Sequence, residues 1–460
     1  MTLSLLLAEH VARTRYEDLP AAAVDAAKRS LLDAIGVSLG ASGFEPACAP
    51  FVDLALAAGG APQSTILGYG VKAPAQLAAF ANGALAHALD FEDAYDGAPL
   101  HPNAALVPAA LALAEARGGV SGRAFLTALA VGCDLVCRLA LAAKAAPEMG
   151  WYPPPIFGAY GAVAAAGRVL GLDAVQMRDA FSLALHQSVC SGAIKYNPQS
   201  VHRAIRDAFP AQTGVVSAEL AARGVAGFDQ PFEGKGGFFQ LFAGGVCDEA
   251  VLTDRLGAHF LGAEVSFKPW PSCRGTHAYI DMALTLVATG AFAIGQIERI
   301  ELAGAPLQVM LMEPAEGKLA PVTAIDAKFS LPFVVATAFV RAGVGLDDFS
   351  PSALSDAAVL ALARRVTYAV DPAIAAKGAA AGALRVVLSD GRDFSMTVDD
   401  ALGGRAKPMD WPALVAKATM CARYARRPVD GGRIERLAGA IATIENAHDC
   451  ATALIGPLTF

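Results

Sequence analysis

The chain has 460 residues, 55% of them hydrophobic and only 17% charged, with a formal net charge of −7; it is too long for one ordinary core and suits two domains, or a large domain carrying a smaller one. Without a Lys/Arg-rich run it lacks the electrostatic footprint of a nucleic-acid binder. Its start has no basic segment and turns polar at Glu9, unlike a signal peptide, and the apolar stretch 124–142 is interrupted by Asp134 and Arg138, so no membrane span is expected and a cytoplasmic protein is.

From residue 20 to about 260 the pattern is almost wholly helical. Pro20 to Ala41 carries apolar residues at helical spacing, and Pro74 opens a second helix running to about Leu89, as proline can at a first turn. Further helices fit 102–117, 123–144, 155–170, 174–190 and 209–223, so this half reads as an all-α bundle. Near 265 the pattern changes. A helix from His277 to about Thr289 precedes Ile297–Leu302, which alternates as a half-buried strand does. Leu384–Leu388 and Asp393–Val398 flank Ser389-Asp390-Gly391-Arg392, a hairpin signal carried by Asp-Gly. Helical segments at 330–342, 352–363 and 410–425 interleave with these strands. The expected architecture is mostly α: a large all-α helical bundle domain from 1–267 and 403–460, plus a smaller α+β domain over 268–402. The 45 glycines, the Ala-rich tracts and the small charge left for the surface point to close helix packing and a homo-oligomer. The eight cysteines are scattered; Cys133 and Cys137 share a helix face but lack a second ligand pair, and the thiols read as small buried hydrophobes.

Three stretches carry candidate chemistry. The first runs from His87 through Asp90, Glu92, Asp93 and Asp96 to His101, between two predicted helices. His87 and Asp90 at i,i+3 share a face at a helix end, and His101 precedes the next first turn. Two histidines and four carboxylates between apolar helices are costly to bury unless paired or used, which suggests an active-site loop rather than a solvated one with helix caps. The carboxylates also suit Mg²⁺, but only Asp90 and Asp93 have i,i+3 spacing and no second acidic cluster completes a shell, so no metal is expected. The second stretch, Phe267 to His277, opens a helix, whose N-terminus with Lys268 and Arg274 would attract a carboxylate. His277 stands beside it, and Cys273 reads as packing rather than as a nucleophile. In the third, Arg203 and Arg206 at i,i+3, with Lys195 upstream, suit a dicarboxylate clamp as well as a charged helix face paired through Asp207. Gly234-Lys235-Gly236-Gly237 lacks the spacing of a phosphate loop and reads as a turn.

Several ordered motifs carry a resemblance. Asn82-Gly83, His87, Leu89-Asp90-Phe91-Glu92-Asp93, His101-Pro102 and Pro108-Ala109, followed by Pro271 to Ala278 and Ala327 to Phe333, with Leu32-Asp33-Ala34-Ile35-Gly36 near the start, resemble the MmgE/PrpD family of 2-methylcitrate dehydratases, cis-aconitate decarboxylases and iminodisuccinate epimerases. The resemblance implies a homodimer, a large helical and a smaller α+β domain with the active site in the cleft between them, and no metal or organic cofactor. It also implies that Asp90, His101, Lys268 and His277 lie in or around the site. Departures concentrate at the substrate: Ala94 replaces a usual Thr, the step from Asp90 to His101 is one residue longer, and Trp151-Tyr152-Pro153 replaces a usual Phe-His-Pro. Arg203 and Arg206 stand at a usual lysine and histidine.

The family reactions share a carbanion or enolate-like centre next to a carboxylate, which requires a base near neutrality and fixed positive charge. The expected assignment has His101 and His277 exchanging protons across one crevice, Asp90 orienting one of them, and Tyr152 as a proton donor. Lys268, Arg274, Arg203, Arg206 and Lys195 would hold substrate carboxylates. The leading expectation is a cofactor-free hydro-lyase on a small di- or tricarboxylate; an isomerase returning an α-proton and a non-catalytic carboxylate-binding protein are the alternatives.

Overall fold

The computed structural model describes residues 1–144, 150–197 and 199–459. The long helix Ala21–Phe44 and the helices Ala75–Ala88, Pro102–Arg117, Gly122–Ala143, Pro153–Leu170, Ala174–Leu185 and Ala208–Ala222 pack into one bundle. Pro153–Leu170 is central, lying against Pro102–Arg117, Gly122–Ala143 and Ala208–Ala222. The Ala- and Gly-rich composition lets backbones approach closely, because small side chains leave no room to be filled between helices. At Gly83 a Cβ would stand 2.5 Å from the Asp207 carbonyl oxygen, so only glycine lets helix Ala75–Ala88 reach the start of Ala208–Ala222. That contact brings two of the candidate stretches together.

Helix Gly122–Ala143 is long and apolar enough to cross a bilayer, contrary to the expectation from Asp134 and Arg138, yet 89% of its most apolar window is buried inside the bundle. Asp134 and Arg138 are compatible with burial because they are paired at 2.8 Å, and Arg138 donates further to the carbonyls of Val251, Leu252, Asp254 and His259.

Two sheets are present among the described residues. Strands β1 (Ser64–Ile66) and β2 (Val71–Ala73) form a small antiparallel hairpin inside the helical half, where none was expected; it is too short to give a period-2 signal. The second sheet has strands β3 (Ile297–Gly304), β4 (Val366–Val370), β5 (Gly382–Leu388) and β6 (Asp393–Val398) in the order β4-β3-β5-β6. β4 runs parallel to β3, while β3–β5 and β5–β6 are antiparallel. The β5–β6 turn falls at the Asp390-Gly391 signal, with Gly391 at φ 87°. Helix His277–Thr289 packs on β5 and β6 and against helix Leu331–Arg341. After the sheet, helix Trp411–Ala422 returns to Ala21–Phe44, where a Cβ on Gly36 would stand 2.9 Å from the Ala418 Cα. It carries Lys417, whose ammonium meets Asp33 at 2.6 Å and the Phe91 carbonyl at 2.5 Å, tying the acidic loop to the bundle.

Candidate active site

The acidic loop is built by the end of helix Ala75–Ala88. Asp90 follows in the left-handed region, at φ 48°, with its N–H donating to the His87 carbonyl at 2.7 Å. This tight reversal turns the Asp90 carboxylate one way and lets Glu92 point back at the imidazoles. Asp93 then accepts from the Asn103 N–H at 3.3 Å and its side-chain amide at 2.7 Å, fixing the loop to the first turn of helix Pro102–Arg117. The segment leading to Lys268 is stitched alongside: Ala94 and Ser266 exchange backbone hydrogen bonds of 2.8 and 2.7 Å.

The result is a buried charge cluster. Lys268 donates to the Asp90 carboxylate at 2.8 Å and to the Asp90 carbonyl at 3.0 Å, with both side chains fully enclosed. Burial works to raise the Asp90 carboxyl, but Lys268, with the histidines, outweighs it and holds that group down at about 2. Glu92 is likewise kept ionised against burial by His87, Lys268 and His101. One Glu92 oxygen contacts the Nδ1 atoms of both His87 and His101, the latter at 3.0 Å. His101 Nδ1 also meets the Asp93 carbonyl at 2.9 Å. Both partners are acceptors, so the His101 proton sits on Nδ1 and the lone pair is left on Nε2. The two rings lie 5.0 Å apart. His87 is buried, and burial followed by the Arg206 charge lowers its pKa; His101 alone of the cluster keeps some exposure, 12% of its side chain.

Behind His87 stands Asp207, at 3.9 Å, which contacts Arg206 at 3.3 Å; Arg206 in turn reaches the Tyr152 hydroxyl at 3.5 Å. Arg203 and Arg206 both lie over the Tyr152 ring, and Arg203 also faces Phe329 at 4.1 Å. Arg203, Lys195 and Lys318 line a small pocket of about 20 Å³. Cys273, half-buried, feels the charges of Asp90, Lys268 and Arg203, and burial pushes its thiol up to about 11.

Several sequence expectations are corrected. The carboxylate that orients His101 belongs to Glu92; Asp90 is taken up by Lys268. The ring beside His101 is that of His87. His277 is wholly enclosed: its Nε2 faces the Ser272 carbonyl at 3.1 Å, its ring packs on Trp270, and burial, then Arg274 and Lys268, drives its pKa well down, so it stays neutral and has no opening to a crevice. Arg274 makes a fork to Asp96, 2.9 Å on each arm, and bonds the carbonyls of Leu402 and Ala401, so its donors are committed to the scaffold. Lys268 and Arg206 are likewise enclosed against Asp90 and Asp207. Of the five cations expected to hold substrate, Arg203 and Lys195 are the two that face the pocket. Tyr152 is brought to the arginines. Glu92, His87 and Asp207 were visible in the quoted motifs but not assigned; Lys318 gave no local signal.

Donor atoms of His87, Asp90, Glu92 and His101 lie within 4.8 Å of one another, a set able to ligate a metal. A metal there would have to share Asp90 with the Lys268 ammonium 2.8 Å away, a repulsion in low dielectric that disfavours it.

A mostly helical bundle with a small mixed sheet appended, and a buried histidine, carboxylate and lysine cluster beside a cationic pocket, defines the class. The family models described as MmgE/PrpD N-terminal domain and MmgE/PrpD C-terminal domain match residues 6–249 and 270–439. The chain belongs to the MmgE/PrpD family. Among curated relatives it is 27% identical to the cis-aconitate decarboxylase-like protein oryM of Aspergillus oryzae, over 96% of this chain and 94% of that one. It is 28% identical to the cis-aconitate decarboxylase of Homo sapiens, over 84% and 81% of the two chains, and 24% identical to that of Aspergillus terreus, over 84% and 82%.

Proposed function

We propose that this protein is a lyase acting on a small tricarboxylate or dicarboxylate, of the decarboxylase or dehydratase type. The observation that carries the reading is His101, held by Glu92 and the Asp93 carbonyl so that its Nε2 lone pair is directed away from the buried cluster, at the one position of that cluster with solvent contact. Loss of CO2 or of water beside a carboxylate both pass through a carbanion-like centre, and both need a proton moved at carbon. His101 Nε2 is the group assigned to that transfer. As it becomes imidazolium, ionised Glu92 stabilises the new charge, and His87 with Lys268 keeps Glu92 ionised against burial. The cationic pocket supports an anionic substrate. The names of the relatives favour decarboxylation over the hydro-lyase reaction expected from the motifs.

The test is turnover of cis-aconitate, then of a panel of hydroxylated di- and tricarboxylates, followed by proton NMR in D2O. A new alkene, or CO2 with deuterium placed in the product, supports the lyase; deuterium in recovered, inverted substrate would instead mean an isomerase. A thermal shift with carboxylates but no consumption would mean a binding protein, and no response to any polycarboxylate would end the reading. Because the cation of the cluster is an ammonium, EDTA should leave the rate unchanged.

A further inference from the structure

The turn that carries Glu92 is held at two consecutive backbone carbonyls by two lysines. Lys268 donates to the Asp90 carbonyl at 3.0 Å, and Lys417 donates to the Phe91 carbonyl at 2.5 Å with its ammonium 4.1 Å from the centre of the Phe91 ring. The Phe91 carbonyl shares a rigid peptide plane with the Glu92 N–H, so holding it fixes the point from which the Glu92 side chain starts. We propose that Lys417, set in place by Asp33, is a positioning residue for the proton transfer: it acts through the Phe91 carbonyl to aim Glu92 at His101 Nδ1. The inference rests on the lyase reading and adds to it a residue that stands outside the buried cluster.

Three observations carry it. The first is how Lys417 is delivered. It lies 326 residues beyond Phe91 in the chain, and its place depends on the motif Leu32-Asp33-Ala34-Ile35-Gly36. A Cβ on Gly36 would stand 2.9 Å from the Ala418 Cα, so glycine there admits the neighbouring Lys417 to Asp33, which it meets at 2.6 Å. The same motif thus supplies the close approach and the counter-charge. The second is location: Lys417 is 6% exposed, so little water can replace the carbonyl if the loop shifts, and Asp33 feels the charges of Glu92 and Lys268, which sets the pair against the cluster rather than at a remote helix crossing. The third is the sensitivity of what is held. One Glu92 oxygen is shared between the Nδ1 atoms of His87 and His101, so a small swing of the loop leaves it on His87 alone. Asp90, in the left-handed region at φ 48°, makes that swing favourable unless contacts from outside the loop oppose it.

The experiment compares Lys417→Met with the double variant Asp33→Ala, Lys417→Met in the full chain. Lys417→Met strands a buried carboxylate and can fail to fold; the double variant removes both charges and should recover much of the lost melting temperature. Neither gives the Phe91 carbonyl a donor. With cis-aconitate, or whichever polycarboxylate the wild type turns over, kcat should fall by about 10- to 10²-fold in both, with little change in KM. Proton NMR of the His101 Nδ1–H, assigned by its loss in His101→Asn, reads the same contact without turnover: its resonance should move upfield in both variants as the charge-assisted bond to Glu92 weakens. A low kcat and a displaced resonance in a double variant whose melting temperature has recovered support the positioning role. A kcat that recovers in step with the melting temperature overturns it, as does an unmoved resonance. If the wild type turns over no polycarboxylate, the lyase reading falls, and the resonance alone decides whether Lys417 aims Glu92.

Discussion

Removing Lys268 should cost far more than removing the whole Lys268–Asp90 pair. The two groups are fully enclosed with 2.8 Å between their charged atoms. At an effective dielectric near 20, unit charges at that separation attract by about 6 kcal/mol, while desolvation opposes this by several kcal/mol per ion. The net value of the pair is therefore small, but Lys268→Met strands a carboxylate and should destabilise by about 3–5 kcal/mol. Unfolding entropy of about 2.1 cal/mol/K per residue over 460 residues gives about 1 kcal/mol per degree, hence a fall in Tm of about 3–5 °C at pH 7. Asp90→Asn should fall similarly, and the double variant should recover most of the loss, a coupling readable by calorimetry. The pH dependence has a defined sign. Because the folded Asp90 carboxyl sits at about 2, below its ordinary 3.8, its contribution is present above about pH 4 and lost as pH falls through 2. In Lys268→Met the carboxyl, no longer opposed by the ammonium, rises with burial, so the Tm gap between wild type and variant should narrow on acidification. Additive single-variant losses, or a gap that widens in acid, would refute the argument.

Other outcomes follow from the same cluster and its surroundings. Glu92→Gln preserves volume but removes the charge behind His101, and kcat on whichever polycarboxylate is turned over should fall by about 10²–10⁴ with little change in KM; a loss under threefold would remove Glu92 from the mechanism. Lys328 is enclosed with its ammonium unpartnered, and burial lowers it to about 8 from 10.5. Its penalty is present in full below pH 8 and disappears as pH rises towards 10.5, so Lys328→Met should raise Tm at pH 7, by up to about 3 kcal/mol in stability, with the advantage shrinking above pH 10. Arg274→Lys keeps a charge but loses the fork to Asp96, and should lower Tm while leaving KM near the wild-type value.

The helical half was legible because its periodicity is strong and its ends are marked: Pro74 and Pro102 stand at helix starts where the sequence placed them. The β5–β6 hairpin was legible through Asp-Gly, whereas β4 was missed: its five residues, Val366–Val370, sit at the edge of the sheet with three of them exposed, too short and one-sided to signal a strand. At the site, the acidic loop, Lys268 and the arginines were all found, but their pairings were not. Spacing placed His87 and Asp90 on one face, yet the left-handed turn at Asp90 sends its carboxylate to a lysine 178 residues away and brings Glu92 to both imidazoles. No periodicity encodes such a reversal. The same limit applies to Arg274, whose partner Asp96 lies across the two halves.

His101 and His277 provide the sharpest contrast. Both are histidines beside the same charges, and only their second contacts differ. Nδ1 of His101 faces acceptors, so Nε2 is a base; Nε2 of His277 faces the Ser272 carbonyl, so its remaining lone pair is Nδ1, buried and without a partner. Asparagine can reproduce an Nδ1–H donor and glutamine an Nε2–H donor, but neither amide supplies a basic lone pair. His101→Asn should therefore keep its bonds to the loop and lose about 10²–10⁴ in kcat, because the proton has no acceptor. His277→Gln should keep the bond to Ser272, lose packing against Trp270 and melt earlier, yet turn over within about tenfold of wild type, since a neutral enclosed ring contributes positioning rather than proton transfer. Rates and melting curves of the two variants, measured side by side, decide between the rings: the reverse order of activities would return His277 to the reaction and leave His101 as a helix-end ligand of Glu92.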